Sequence, residues 1–114
     1  MAKISKELED KINEFQVLQG QMQMLSTQRQ QSKLQGDEMQ ESLKLLETVA
    51  GKVFRFSGTL FLESSKEDAR KDVEDRMELL KVRDSALNKQ EERVKKRLED
   101  LRKEIESFAG LGGN

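Results

Sequence analysis

Five residue types are missing from this 114-residue chain: cysteine, histidine, proline, tryptophan and tyrosine. Without cysteine or histidine the chain has neither thiolate nor imidazole, and so lacks the usual nucleophiles, proton shuttles and zinc ligands. Nothing in the chain requires an oxidising compartment for disulfide formation. We therefore expect no metal site, no cofactor and no enzymatic activity.

Apolar residues are scarce as well. Only 34% of the chain is hydrophobic and 4% is aromatic, so a conventional globular core would be thin. No apolar stretch approaches the roughly 18 residues that a membrane span requires, and the opening "MAKISKELED" lacks the apolar region of a secretory signal. These features predict a soluble cytoplasmic protein with no membrane partner.

The charges are balanced, with 21 basic and 22 acidic residues. Such a chain has no strong field to attract nucleic acid. The basic run "RVKKR" is bracketed by acidic residues and contains no aromatic side chain for base stacking, which favours a solvated helix face. The glycines match neither a Walker nor a Rossmann spacing. Partners are therefore expected to recognise the chain by shape or by apolar contact.

Two long segments repeat apolar residues at alternating steps of three and four. This spacing averages 3.5 residues and is typical of coiled-coil helices. It predicts one helix over residues 4–50 and a second over residues 65–109, with a flexible tail at 110–114. The first apolar seam contains Leu8, Phe15, Leu18, Met22, Leu25, Met39, Leu43, Leu46 and Ala50, and the second contains Val73, Met77, Leu80, Leu87, Val94, Leu98, Leu101, Ile105 and Phe108.

Local signals predict where the helices begin and end. Gly51 is expected to end the first helix in a left-handed conformation. Ser64 and Glu67 match a capping box that would start the second helix, and Gly110 would end it. If the chain folds back near Ser57, the helices pair antiparallel, and residues whose numbers add up to about 116 face each other.

Between the helices lies the apolar stretch "VFRFSGTLFL", Val53 to Leu62. Two short β-branched or aromatic runs flank Ser57-Gly58, which predicts a β-hairpin within residues 52–63. An isolated hairpin with exposed phenylalanines and two open edges would be marginally stable in water. We therefore interpret the stretch as an assembly element. The alternative is that the hairpin folds onto its own helices as a cap.

The predicted seams contain polar residues midway along each helix. Arg29, Ser32 and Gly36 occupy seam positions in the first helix, and Asp84 and Glu91 do so in the second. The simpler interpretation is a solvent-softened stretch of coiled coil. The alternative is that these residues pair and fix the register of the two helices. Under either interpretation this stretch should be the most flexible part of the helices.

Over essentially its whole length the sequence resembles the β-type subunit of prefoldin, an archaeal and eukaryotic chaperone family. The segment "VFRFSGTLFLES" resembles the central hairpin of that family. "LQGQMQMLSTQRQQ" is similar to its glutamine-rich first helix, and "LKVRDSALNKQEERVKKRLEDL" to its second. A single hairpin matches the β-type rather than the α-type subunit.

The resemblance implies an ATP-independent chaperone of two α-type and four β-type subunits, whose hairpins join into a β-barrel body. Unfolded client proteins would be held at the helix tips and delivered to a group II chaperonin. The implied assembly residues are Val53, Phe54, Phe56, Leu60, Phe61 and Leu62. The implied client-binding residues are Ile4, Leu8, Ile12, Phe15, Leu101, Ile105, Phe108 and Leu111.

Two alternatives stay open at this point. The apolar tip residues could simply form the last layers of the coiled coil. The whole chain could also be a coiled-coil scaffold or spacer that oligomerises through its hairpin. A spacer would bind defined partners at its tips and would ignore denatured proteins.

Overall fold

The computed structural model describes residues 5–112, apart from the side chains of residues 109, 111 and 112. Four elements follow one another along the chain. Helix α1 spans Lys6–Thr48, strand β1 Val53–Ser57, strand β2 Leu60–Ser64 and helix α2 Lys66–Gly112. The predicted order of helix, hairpin and helix is confirmed.

Both helices begin at a serine that caps their first turn. The Ser5 hydroxyl accepts a hydrogen bond from the backbone N–H of Leu8 at 3.1 Å, and the Ser65 hydroxyl accepts one from the N–H of Asp68 at 3.0 Å. Each serine thus satisfies an N–H that has no partner inside the helix. The predicted capping box was displaced by one residue, because Ser64 still belongs to β2 and Ser65 is the cap.

Neither helix ends at the predicted glycine. Helix α1 stops at Thr48, and Gly51 does not adopt a positive φ. Side chains cap its last turn instead: the Lys66 ammonium donates to the Glu47 carbonyl at 3.0 Å, and the Thr48 hydroxyl donates to the Leu45 carbonyl at 2.8 Å. The last carbonyls of a helix lack partners inside the helix. Here two side chains bond to them, a role that backbone N–H groups fill when a left-handed glycine ends the helix.

Helix α2 passes through Gly110 and continues to Gly112. The prediction that the helix ends at residue 109 was therefore wrong. Glycine lowers helix propensity by about 1 kcal/mol relative to alanine, but a helix stops only where the backbone leaves the helical region. Of the predicted tail, residues 113 and 114 lie outside the described part of the chain.

The chain divides into two compact units, which we describe separately. The terminal unit combines residues up to Arg29 with residues from Ala86 onward, and the hairpin unit comprises Gln30–Ser85. Within the terminal unit, Lys11 contacts Glu104 and Glu14 contacts Arg97, so the two helix segments run antiparallel. Within the hairpin unit, Ser32 contacts Asp84 and Gly36 lies beside Leu80, which again requires antiparallel segments.

Each unit has a narrow apolar core along the predicted seam. Leu25, Leu87 and Leu101 are buried in the terminal unit, whereas Leu46 and Ala69 are buried in the hairpin unit. The other predicted seam residues are half-buried, except Ala50, which lies beyond the end of α1 and is exposed. Ala69 was not predicted, because a single small residue adds little to an apolar pattern. A core this narrow leaves the outer helix faces in solvent.

The polar seam residues form pairs. Ser32 is only 4% exposed, and its hydroxyl donates a hydrogen bond to the half-buried Asp84 carboxylate in the hairpin unit. In the terminal unit Arg29 Nη1 lies 2.5 Å from Glu91 Oε2. Since buried polar groups are stable only when they have partners, this pairing supports the register interpretation over the simple solvent-softened one.

Strands β1 and β2 pair antiparallel around a two-residue loop of Gly58 and Thr59, with Ser57 opposite Leu60 and Phe56 opposite Phe61. Gly58 has a φ of 61°. Positive φ at the first loop residue, and not at the second, is the pattern of a type II′ turn, whose twist matches that of paired strands. The predicted hairpin is confirmed, with its loop one residue later than the Ser57-Gly58 pair.

Candidate assembly and client-binding sites

The hairpin exposes most of its apolar side chains. Val53 is half-buried at its base. The other five predicted assembly residues are between 44% and 71% exposed, and Phe61 is the most exposed of them. The five are Phe54, Phe56, Leu60, Phe61 and Leu62. This exposure disagrees with the alternative in which the hairpin caps its own helices.

The strand register separates the apolar residues into two faces. Phe54, Phe56 and Phe61 share one face, because successive side chains in a strand point to opposite sides of the sheet. The rings of Phe56 and Phe61 make an edge-to-face contact with centroids 4.6 Å apart. Val53, Leu60 and Leu62 lie on the other face. Each face therefore carries three apolar side chains, as expected of a strand pair that is covered on both sides.

The hairpin also leaves both of its edges unpaired. Among residues 5–112 the sheet has only two strands, so the outer backbone groups of β1 and β2 have no strand partner. Open, apolar strand edges readily pair with further strands. The geometry therefore suits addition of more strands at either edge.

The predicted tip residues form the final layers of the terminal unit. Leu8, Ile12 and Phe15 are half-buried on α1. On α2, Leu101 is 0% exposed, while Ile105 and Phe108 are half-buried. Ile4 lies outside the described residues, and the side chain of Leu111 is not described. Leu101 is thus a core residue of this unit, and the half-buried residues remain open to a second partner.

Ion pairs flank the tip layers. Arg97 binds the Glu14 carboxylate through two hydrogen bonds of 2.8 and 2.9 Å, and Lys11 Nζ lies 3.1 Å from Glu104 Oε2. The hydrogen bonds from Arg97 lower the pKa of Glu14 below its ordinary value, and the same contact raises the pKa of Arg97. Lys11 occupies a seam position that the apolar pattern skipped. These pairs hold the tip layers in register.

A groove that sequence reasoning missed lies along one side of the terminal unit. Its floor is formed by Leu25 and Val94, and its cavity volume is about 400 Å³. The remaining lining residues are Gln21, Met24, Gln28, Gln90 and Arg93. Glutamines beside the seam of both helices are a local signal of this groove, but glutamine is common on coiled-coil surfaces and does not by itself indicate a groove.

The described residues contain neither a metal-binding cluster nor a membrane-spanning helix. No cluster of acidic side chains within residues 5–112 is arranged to hold a metal ion. Neither of the two described helices contains a stretch that is long and apolar enough to cross a membrane.

Comparisons with known proteins agree with this geometry. Residues 9–110 match the family model described as "Prefoldin subunit". The chain is 26% identical over 109 residues to a prefoldin subunit beta of Pyrococcus horikoshii, covering 94% of this chain and 93% of that one. It is 31% identical over 106 residues to the prefoldin subunit beta of Methanosarcina acetivorans, covering 91% of each.

A solved structure is similar as well. The crystal structure of the prefoldin beta subunit from Thermococcus strain KS-1 superposes with a TM-score of 0.84 at 26% identity, covering 95% of this chain and 96% of that one. The two long helices, the central hairpin and the matches over nearly the full length lead to one conclusion: the chain belongs to the prefoldin family, as a β-type subunit of that chaperone.

Proposed function

We propose that the chain captures unfolded polypeptides at the free ends of its helices and holds them without nucleotide turnover. It does so in the cytoplasm, within a complex of two α-type and four β-type subunits, and passes its clients to a group II chaperonin. The chain has no catalytic role, since holding a client by apolar contact requires no bond to be made or broken.

The observation that carries the proposal is the exposed hairpin. Its three phenylalanines on one face and two open edges are unsuited to an isolated chain. Joined to other hairpins in a closed barrel, the strands lose their edges and bury both faces. Assembly at the hairpin brings several pairs of helices together in one complex.

The half-buried tip residues supply the contacts to clients. Leu8, Phe15 and Phe108 keep part of their apolar surface in solvent. Burying such a side chain completely against a client is worth about 1.5–3 kcal/mol, and proportionately less when burial is partial. One tip therefore binds weakly, but several tips on one client gain from effective concentration. Leu101 contributes as a core layer beneath these contacts.

The experiment removes the tips and leaves the rest of the chain. Complexes of this chain with an α-type subunit are prepared with and without residues 1–8 and 106–114. Because the hairpin is far along the chain from both cuts, assembly should survive, whereas avidity for clients should fall by orders of magnitude. The measurement is aggregation of a chemically denatured protein, using complexes of equal and verified mass.

A chain lacking only residues 113 and 114 serves as the control and should protect the client fully. Equal protection by intact and tip-trimmed complexes would place the client site elsewhere on the chain. If neither complex protects the client, the chain is a spacer rather than a chaperone subunit.

A further inference from the structure

We propose that the groove floored by Leu25 and Val94 is a second client contact, which binds an extended polypeptide segment carrying an apolar side chain next to a carboxylate. This inference rests on the proposed function, and it names both a further site and the client chemistry that the site prefers. The groove belongs entirely to the terminal unit.

The floor and wall of the groove suit an apolar side chain. Leu25 is buried and Val94 is half-buried beneath the opening, while Met24 stands beside them 63% exposed. A cavity volume of about 400 Å³ lies within the usual range for binding pockets. Methionine is unbranched and polarizable, so Met24 can adapt to side chains of different shape. Such a wall is useful when client sequences vary.

The rim of the groove suits a peptide backbone. Gln21, Gln28 and Gln90 each offer an amide that can donate and accept hydrogen bonds. None of the side-chain hydrogen bonds among residues 5–112 involves these three amides. An unfolded chain has backbone N–H and C=O groups that are bonded to water rather than to other protein groups. The amides can therefore hold any extended segment regardless of its sequence.

The charge of the groove selects among such segments. Arg93 is the only charged residue in the lining. It takes part in no ion pair within the described residues, whereas Arg97, one turn further along α2, is bound to Glu14. A guanidinium with free donors is complementary to a carboxylate. The groove therefore favours acidic apolar segments over basic ones.

The first test uses crosslinking, which the absence of cysteine makes straightforward. Gln90→Cys carries a photoreactive benzophenone in the assembled complex, and exposed Gln40→Cys in the hairpin unit is the control. A chemically denatured client is bound and irradiated. We expect client adducts from position 90 in large excess over position 40. Adducts from position 90 to a neighbouring subunit in place of the client would identify a different occupant and overturn the proposal.

The second test measures selectivity. Two labelled unfolded peptides differ only in aspartate or lysine beside a leucine, and their binding to the complex is followed by fluorescence anisotropy. Arg93→Glu should weaken binding of the aspartate peptide about fivefold, as expected for an exposed charge pair, and should strengthen the lysine peptide. Met24→Glu should weaken both peptides.

Leu34→Glu is the matched control for Met24→Glu, since Leu34 is 60% exposed on the same helix but lies outside the groove. It should leave both peptides unchanged. If the wild-type complex prevents client aggregation while Arg93→Glu and Met24→Glu bind both peptides normally, the groove proposal is wrong and the proposed function stands. If the wild-type complex holds no client, both fail.

Discussion

Ser32 shows how a single residue affects the pairing of the helices. It is a small polar residue at a seam position where coiled coils usually have an apolar side chain, and it is nevertheless buried. Its hydroxyl donates a hydrogen bond to the half-buried carboxylate of Asp84. Shifting one helix by a turn would separate the two groups. The pair therefore favours one register of the helices over its neighbours.

Ser32→Ala should lower the free energy of unfolding by about 1–3 kcal/mol, because a partly buried carboxylate loses a hydrogen-bond donor. Thermal unfolding followed by circular dichroism measures the change. Ser26→Ala, an exposed position on the same helix, is the control and should have little effect. Combining Ser32→Ala with Asp84→Leu should recover stability, since two apolar groups replace the pair. A harmless Ser32→Ala would argue against this role for the pair.

At the scale of elements, the hairpin differs from the helices in how it is stabilised. The helices bury a narrow seam against each other within each unit. Within the described part of the chain, β1 and β2 pair only with one another and leave three phenylalanines exposed. Two-stranded sheets of this kind are marginal in water. We therefore expect the hairpin to depend on other subunits more strongly than the helices do.

Phe61→Asp should prevent assembly while leaving helix content largely intact. Phe61 is 71% exposed in the chain itself, so the substitution does not disturb a core. In an assembled sheet, however, the new charge would be buried without a partner. Sedimentation measures the mass of the complex and circular dichroism the helix content. Thr59→Asp adds the same charge in the turn and should still assemble. If Phe61→Asp retains the full mass, the subunits join elsewhere.

At the scale of the whole molecule, the proposed binding mode requires no energy source. Client capture through several weak apolar contacts is an equilibrium that depends on avidity. The sequence has no glycine-rich loop with a phosphate-binding spacing and no cysteine or histidine ligand. If clients are captured in this way, the strength of capture depends on the number of subunits that act together.

Protection of a denatured client should be equal with ATP, without ATP and with a metal chelator. The measurement is light scattering during dilution of the denatured client into the assembled complex. An ATP-hydrolysing chaperone run in parallel confirms that the added nucleotide is intact. A clear requirement for nucleotide or for metal would contradict the holding mechanism.

The sequence alone determined the order of elements, the antiparallel pairing and the family. Heptad spacing, the turn at Gly58 and the run of hydrophobic residues from Val53 to Leu62 are local patterns, and each reflects a backbone periodicity or a conformational preference. The position of the turn predicted that Arg29 lies near Asp84 or Glu91, and Arg29 pairs with Glu91. These features could be predicted because neighbouring residues specify them.

Only the tertiary structure decided which ends are capped by side chains and which surfaces remain open. Lys66 caps the carbonyl of Glu47 from across the hairpin, a role that no local signal at Gly51 revealed. Full burial of Leu101 and the groove above Leu25 depend on where the opposite helix lies. The burial of a side chain and the shape of a groove depend on contacts between residues that are far apart in sequence. Periodicity therefore predicts which helix face is buried, but not how deeply each residue on that face is buried.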